Sequence, residues 1–298
     1  MKKLKIAVVG YGNLGKGALE AIEAAPDLKL AGLVRRTPRR PQGLQGIPVV
    51  ADIQELGPVD AALLCVPSRA VPQLALKMAE LGIDTVDSYD LHGDDLVNYR
   101  LKLNAVAKAC GTRAVVAAGW DPGTDSLVRA LMEFMAPQGL TFTNFGPGLS
   151  LGHSVAAANI KGVKKAVSLT IPLGAGLHRR LVYVELESGA DLAQVGEEIK
   201  SDPYFARDET HVYEVASTAE LSDPGHGVSL ERKGISGRTG NQRLRWQMQI
   251  NNPALTSQVM AAAARAGQRQ APGAYTMLQI PLIDYLFGED NELIRRLV

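Results

Sequence analysis

The 298 residues predict an α/β chain: a doubly wound parallel sheet, followed by an α+β domain whose sheet is mostly antiparallel. Three observations predict it. Between Leu4 and Ala118, short apolar runs alternate with longer helical patterns, as in strands joined by crossover helices. Beyond Gly119 the pattern turns to period-two alternation, which suits strands with one covered and one wet face. From Asn252 an alanine-rich helical pattern returns, and this last part is expected to pack back on the first domain. The expected domains are therefore residues 1–119 with 252–298, and residues 120–251.

The elements follow in order. Leu4–Val9 is an apolar strand closed by glycine, and Leu14–Ala25 a helix stopped by Pro26-Asp27. Leu28–Val34 and Ile47–Val50 read as the second and third strands, and Asp60–Val66 as the fourth. Val71–Leu81 is helical, with Gly82 just past its end as a cap. Asp84–Asp87 is the fifth strand, Leu96–Ala109 a helix ended by Gly111, and Arg113–Ala118 the sixth strand. Pro122 suits the start of a helix running to Met135. In the second domain, strands are expected at Ala166–Ile171, Leu181–Leu186, His211–Val215, Val228–Arg232 and Leu244–Ile250. Only Asp191–Lys200 reads clearly as helix there. Ala254–Ala266 is helical, and the tail from Tyr275 to Val298 is apolar and reads as helix.

Composition excludes several classes of function. Hydrophobic residues at 46% and charged residues at 21% are ordinary for a soluble globular protein. A formal charge of +1 creates no overall field for nucleic acid or anionic lipid. Aromatic residues at 5% leave little for a base-stacking surface. Cys65 and Cys110 form no C-x-x-C pair and are expected as buried, reduced thiols. The histidines do not cluster with them, so no metal site is expected. No apolar run reaches membrane-spanning length, and the start passes straight into a strand pattern, so a cytoplasmic protein is expected.

Gly10-Tyr11-Gly12-Asn13-Leu14-Gly15 fits G-x-G-x-x-G between a strand and a helix, the context that gives the pattern meaning. Gly10 permits the tight turn, Gly12 lets the backbone approach a pyrophosphate, and Gly15 lets the helix pack on the sheet. The helix N-terminus then offers N–H groups to phosphate. This predicts a Rossmann dinucleotide-binding domain; the bland alternative is a glycine turn that binds nothing. The second strand ends Val34-Arg35-Arg36-Thr37, where an NAD-binding domain usually carries an acid for the ribose 2′-OH. Two guanidinium groups can hold a 2′-phosphate that an acid would repel. NADP is the expected cofactor, against a merely solvated basic turn. Cys65-Val66-Pro67-Ser68 follows the fourth strand and is expected to line the cofactor ribose or nicotinamide.

Two further loops carry acids. Asp87-Ser88-Tyr89-Asp90 ends the fifth strand, and Gly119-Trp120-Asp121-Pro122-Gly123 follows the sixth. Converging carboxylates at Asp90 and Asp121 suit a cationic substrate such as an amine. The bland alternatives are a turn acid at Asp90 and a helix N-cap at Asp121.

The chain resembles the meso-diaminopimelate dehydrogenases over essentially its whole length. The carriers are GYGNLG with the paired arginines, VDSYDLH (Val86–His92), GWDPG (Gly119–Gly123), FGPGLSLGHS (Phe145–Ser154), GVKKAV (Gly162–Val167) and Asn252-Pro253. The resemblance implies a discontinuous dinucleotide domain, a substrate and dimerisation domain, and a homodimer. It implies reversible, NADP-dependent oxidation of the D-configured carbon of meso-2,6-diaminopimelate. Ammonia is released, and the product, L-2-amino-6-oxopimelate, cyclises to tetrahydrodipicolinate in lysine and cell-wall precursor synthesis. It also implies that Asp90 and Asp121, with the Trp120-Asp121 backbone, grip the D-amino end. Thr170, Arg180, His226 and Asn252 match positions that hold the distal end; Ser150 and Gly152 would contribute loop contacts, and Phe145 a wall. His153, in the same motif, suits a structural hydrogen bond as well as a ligand contact. An amine must be neutral to lose hydride from its carbon, so one of the two aspartates is expected to take its proton, directly or through water.

Three departures stand out. Only Pro172–Arg179 lies between the Thr170 and Arg180 strands, where better-known members carry a longer insertion. Phe145 stands where they commonly have Trp. The loop before His226 also differs in length. A smaller wall and a shorter loop imply tolerance of other D-amino acids and 2-oxo acids. Two other classes share the glycine turn: another two-domain NADP oxidoreductase, of the sugar dehydrogenase or dihydrodipicolinate reductase type, and a non-catalytic NADP-binding protein. Many sugar dehydrogenases carry lysine after the fifth strand, whereas Ser88-Tyr89-Asp90 has none.

Overall fold

The computed structural model describes residues 3–37, 39–221 and 225–298; Met1, Lys2 and the Pro224 before His226 lie outside them. The first elements are β1 (Leu4–Val9), α1 (Asn13–Ala24), β2 (Leu28–Val34), β3 (Val49–Val50), β4 (Ala61–Leu64), α2 (Val71–Glu80), β5 (Asp84–Asp87), α3 (Asp94–Cys110), β6 (Arg113–Val116) and α4 (Thr124–Met135). Then come β7 (Gln138–Phe145), β8 (Gly148–Leu149), α5 (Leu151–Ala158), β9 (Val163–Gly174), β10 (Leu177–Leu186), α6 (Leu192–Ser201), β11 (Glu209–Glu214), β12 (Gly225–Ser236) and β13 (Thr239–Asn251). The chain ends with α7 (Asn252–Gly267), β14 (Gly273–Thr276) and α8 (Asp290–Leu297). It divides into two compact units, one running to Leu127 and resuming at Pro253–Val298, the other Val128–Asn252. The first crossing thus lies within α4, past the 119/120 boundary read from the sequence.

In the first unit a parallel sheet runs in the order β14-β6-β5-β4-β1-β2-β3. Its strands are buried on both faces, and their alternation sorts side chains into two cores. Ile6, Val8, Leu33 and Leu63 face one way, against Ala18 and Ile22 of α1 and Met260 and Ala264 of α7. Ala7, Val9, Ala62 and Leu64 face the other way, against Ala75 and Met78 of α2 and Tyr99 and Leu103 of α3. The burial of Ala18, Ala21 and Ile22 follows the helical period, which is why α1 shows one face to the sheet. The strand order reverses between β1 and β4, and at such a switch point the carboxyl ends of parallel strands leave a crevice. Register sets Val34, Val9, Leu64 and Asp87 side by side across that edge.

The second unit holds two sheets, β11-β10-β9-β8 and β13-β12-β7, where the alternation suggested one. All their pairings are antiparallel except β10 with β11. Val182 and Val184 pack against Ala157 of α5, Val195 and Ile199 of α6, and Phe205.

Several expectations are corrected. The tail is not continuous helix: Gly273–Thr276 becomes the seventh strand, pairing with β6, and only Asp290–Leu297 is α-helical. α5 was not legible, because Gly152, His153 and Ser154 in its first turns are weak helix formers. Pro172–Arg179 is not a loop; β9 and β10 run through it to a tight turn at Ala175-Gly176, both at positive φ. His226 lies not in a glycine-rich loop but in β12, opposite Ile250. Cys110 is exposed at the end of α3, whereas Cys65 is buried as expected. Among the described residues, no helix is long and apolar enough to cross a membrane.

Candidate active site

The glycine turn joins β1 to α1, and each glycine meets a different constraint. Gly10 has φ +103°, and a Cβ there would lie 2.2 Å from the Cys65 carbonyl oxygen. A Cβ on Gly15 would lie 2.2 Å from the Gly10 carbonyl oxygen, so the helix can sit on the turn only without one. A Cβ on Gly12 would meet nothing within 4 Å. Gly10 and Gly15 are therefore required by the protein's own packing, while Gly12 keeps open space before the helix. No side chain caps α1, and its first turn holds no acid. The N–H groups of Asn13, Leu14 and Gly15 thus face that space with the positive end of the helix dipole. An anionic pyrophosphate fits such a cradle.

Basic residues flank it. The Arg35 guanidinium carbon and Lys16 Nζ each lie 5.8 Å from the centre of the Tyr11 ring. Arg35 Nη1 donates to the Arg39 carbonyl at 3.1 Å, which draws the following loop around it. Arg36 is exposed. On the other side of the turn, Cys65 donates its N–H to the Val9 carbonyl at 2.8 Å. Burial pushes its thiol up to about 12, so Cys65 shapes the crevice and performs no thiolate chemistry. Val66 and Ser68 are half-buried and Pro67 exposed.

Because β5 is the neighbour of both β4 and β6, the Asp90 and Asp121 loops leave the same sheet edge as the glycine turn. Asp90 donates its backbone N–H to Ser68 Oγ at 3.2 Å, tying its loop to the Cys65–Ser68 segment. The GWDPG loop is bonded to itself. Gly119 donates to the Pro122 carbonyl at 3.1 Å, and Thr124 N–H returns to the Gly119 carbonyl at 3.1 Å. A Cβ on Gly123 would lie 1.9 Å from the Gly119 carbonyl oxygen, so this knot needs glycine there. Trp120 is buried and Asp121 half-buried. The helix begins only at Thr124, so Asp121 lies ahead of the N-cap position.

The predicted residues of the second unit form their own cluster. β9 and β10 set Thr170 opposite Arg180. Both are buried, and Arg180 Nη1 donates to Thr170 Oγ1 while its Nε donates to Asp208 Oδ2 at 2.6 Å. A guanidinium held on those two sides keeps Nη2 for a further acceptor. Ser150 Oγ lies 2.8 Å from His153 Nδ1. His153 is lowered to about 3, chiefly by burial and then by Arg180, with His226 and His178 adding to it, so it is neutral at pH 7. Phe145, at the end of β7, donates its N–H to His178 Nε2 at 2.8 Å. Burial and then Arg180 hold His178 below its ordinary value, in the neutral form that this hydrogen bond needs.

The glycines of FGPG have a packing cause. A Cβ on Gly146 would lie 2.3 Å from the Thr170 carbonyl oxygen, and one on Gly148 would lie 2.2 Å from that of Gly225. This segment threads between the two sheets and brings Phe145, Thr170 and His226 near one another. Gly152 stands in the first turn of α5, and Asn252 begins α7. Sequence reading missed Asp208, an acid in an irregular segment with no pattern to mark it. It also missed the tie from His178 to Phe145.

Comparison with known proteins agrees with both units. Residues 4–86 match the family model of the NAD-binding Rossmann fold of an oxidoreductase family. Residues 119–252 match the diaminopimelic acid dehydrogenase C-terminal domain. A meso-diaminopimelate D-dehydrogenase of Bacteroides fragilis is 52% identical, with 100% of each chain covered. The chain belongs to the meso-diaminopimelate D-dehydrogenase family. Its fold matches the solved structure of the Corynebacterium glutamicum diaminopimelate dehydrogenase in complex with diaminopimelate, at a TM-score of 0.89 and 30% identity, with 100% of each chain covered. It also matches an engineered D-amino acid dehydrogenase bound to NADP+, at a TM-score of 0.88 and 29% identity, again with 100% of each chain covered. Membership in this family makes the chain an oxidoreductase with a NAD(P)-binding Rossmann domain.

Proposed function

We propose that the chain catalyses NADP-dependent, reversible oxidative deamination of the D-centre of meso-2,6-diaminopimelate, forming L-2-amino-6-oxopimelate and ammonia. The observation that carries this reading is the shared edge of the parallel sheet, where an anion cradle and two loops bearing Asp90 and Asp121 emerge side by side. Gly10, Tyr11, Gly12, Asn13, Leu14 and Gly15 would hold the pyrophosphate, Arg35 and Arg36 the 2′-phosphate, and Cys65–Ser68 the ribose or nicotinamide. When bound, NADP supplies the hydride acceptor. Asp90 and Asp121 attract the substrate ammonium, and one of them takes its proton so that the nitrogen lone pair can assist loss of hydride from carbon. The other serves the water that releases ammonia. The backbone of Trp120 and Asp121 is assigned to the same end.

Thr170, Arg180, His226 and Asn252 are assigned to the distal amino acid end. Arg180 is the group for a carboxylate, since Asp208 and Thr170 hold it in place before substrate arrives. Ser150 and Gly152 contribute loop contacts and Phe145 the wall. The reading includes a homodimer, supported by the exposed Leu131, Phe134 and Leu140 of the second unit; sedimentation of a monomer at micromolar concentration would count against it. The decisive assay follows NADPH fluorescence. It should rise on adding meso-diaminopimelate to enzyme and NADP+, and stay flat with the L,L isomer. Equal responses to both isomers, or none to either, would sink the proposal.

A further inference from the structure

Asp87 ends β5, three residues before Asp90, and is fully buried. No cation pairs with it among the described residues; three donors converge on it instead. Its Oδ1 accepts the Tyr89 N–H at 3.0 Å and the Ala117 N–H at 3.0 Å. Its Oδ2 accepts the Tyr99 hydroxyl of α3 at 2.7 Å. The Tyr89 and Tyr99 rings lie 4.8 Å apart. Its own carbonyl accepts the Ala118 N–H at 2.7 Å. Tyr89 belongs to the Asp90 loop, and Ala117 and Ala118 lead into the Asp121 loop. One carboxylate oxygen therefore bonds the backbones of both loops.

A second observation concerns the same spot. Ala117 has φ +53°, a left-handed conformation that alanine avoids, and it is buried. Such a residue persists where its surroundings over-determine it, and such positions cluster at functional sites. Here Asp87 supplies the constraint twice, through Oδ1 to Ala117 and through its carbonyl to Ala118. A buried carboxylate with no cation beside it is an expensive way to satisfy backbone N–H groups. What the expense secures is a fixed distance between two loops that carry acids.

We infer that Asp87 is a positioning residue, whose carboxylate brackets the Asp90 loop to the Asp121 loop and sets the spacing of those two acids. The inference rests on the proposed deamination for its catalytic consequence and on geometry for the bracket itself. Asp87 touches neither substrate nor cofactor; it acts through the backbone of the loops. Asparagine keeps the Oδ1 acceptor and can meet Tyr99 through its amide, so it should preserve the bracket, whereas alanine removes it.

The test compares the unaltered enzyme with Asp87→Asn, Asp87→Ala and Tyr99→Phe, by oxidation of meso-diaminopimelate and by amide exchange at Tyr89 and Ala117. Since misplacement by an ångström costs about a hundredfold, Asp87→Ala should lose about that factor in kcat, Asp87→Asn should stay within about fivefold, and Tyr99→Phe should fall between. NADP+ affinity, read by fluorescence quenching, should change little in all three, because the cradle lies on other strands. The Tyr89 and Ala117 amides should exchange slowly in the parent and in Asp87→Asn, and fast in Asp87→Ala. If Asp87→Ala does not fold, the Tyr99→Phe and Asp87→Asn results decide, with Tyr99→Phe expected to lose more kcat and more amide protection. Parental kcat in Asp87→Ala overturns the inference, as does a loss in Asp87→Asn equal to that in Asp87→Ala. An unaltered enzyme inactive on meso-diaminopimelate overturns the functional reading; amide exchange then still decides the bracket, and protection surviving in Asp87→Ala would refute it.

Discussion

At the carboxyl edge of the parallel sheet, Asp90 and Asp121 stand on loops held by backbone hydrogen bonds and one buried acid. In the other unit, Arg180 stands on a strand and is held by the side chains of Thr170 and Asp208. The edge builds its geometry from topology: parallel neighbours must end together, so any loop there joins the same crevice. The Arg180 cluster builds its geometry from register and packing, and depends on what sits opposite and beside one guanidinium. The first site should tolerate changes at exposed positions of its loops, but not loss of its reacting groups or of the buried Asp87 that ties the loops together. The second should respond to small changes in shape.

The predictions probe that contrast, beginning with the largest effect. Asp121→Asn should lower kcat for meso-diaminopimelate by about a hundredfold to ten-thousandfold, the range for a lost acid–base group, with unchanged thermal unfolding. Parental turnover in this variant would remove Asp121 from the chemistry. Arg180→Lys should raise KM by about tenfold to a hundredfold with less effect on kcat, because an ammonium cannot reproduce the fork held by Asp208 and Thr170. A KM left unchanged would mean that register does not matter there. Replacing Arg35 and Arg36 together by alanine should weaken NADP+ binding by about tenfold or more and NAD+ binding much less, since only NADP+ carries the extra phosphate. Equal losses in a direct titration of the two cofactors would contradict the NADP assignment.

The fourth prediction concerns pH. His153 is held neutral in the folded enzyme down to about pH 3, chiefly by burial and then by Arg180, whereas an unfolded histidine titrates near 6.5. Between those values the unfolded state binds more protons, so stability falls as pH is lowered. One such group contributes at most about 1.4 kcal/mol per pH unit. Urea unfolding across this window should show the slope, and His153→Asn should flatten it. A parent with pH-independent stability there would count against this burial. The smallest effect expected is slow reductive amination of pyruvate or phenylpyruvate with ammonia and NADPH. The hairpin between β9 and β10 turns tightly at Ala175-Gly176 and Phe145 is a modest wall, which supports such tolerance; no detectable turnover would dismiss it.

Much of the first unit was legible because its signals are local. Leu4–Val9, Leu28–Val34 and Asp84–Asp87 match their strands residue for residue, the first two because apolar runs bounded by Gly, Pro and Asp leave little choice. The glycine turn was legible for the same reason: Gly10 and Gly15 answer contacts within a few residues or across one strand, and Gly12 stands at a fixed place between them. The second unit was harder. Strand existence was readable, but not the split into two sheets, the parallel pairing of β10 and β11, or the helix α5. Those depend on which faces meet, and alternation alone does not name a partner. The tail misled because β14 is short and half its meaning is its pairing with β6.

The sequence by itself determined the cofactor turn, the two acid-bearing loops and the family, since these are carried by residue types at short fixed spacings. Tertiary structure alone decided that β5 lies between β4 and β6, that Asp208 holds Arg180 from 28 positions away, and that Asp87 holds Ala117 from 30 positions away. The physical reason is the range of the forces. Turn conformation and strand period are set by neighbours along the chain, whereas a buried carboxylate or guanidinium is placed by whichever donors and acceptors folding brings within hydrogen-bond reach.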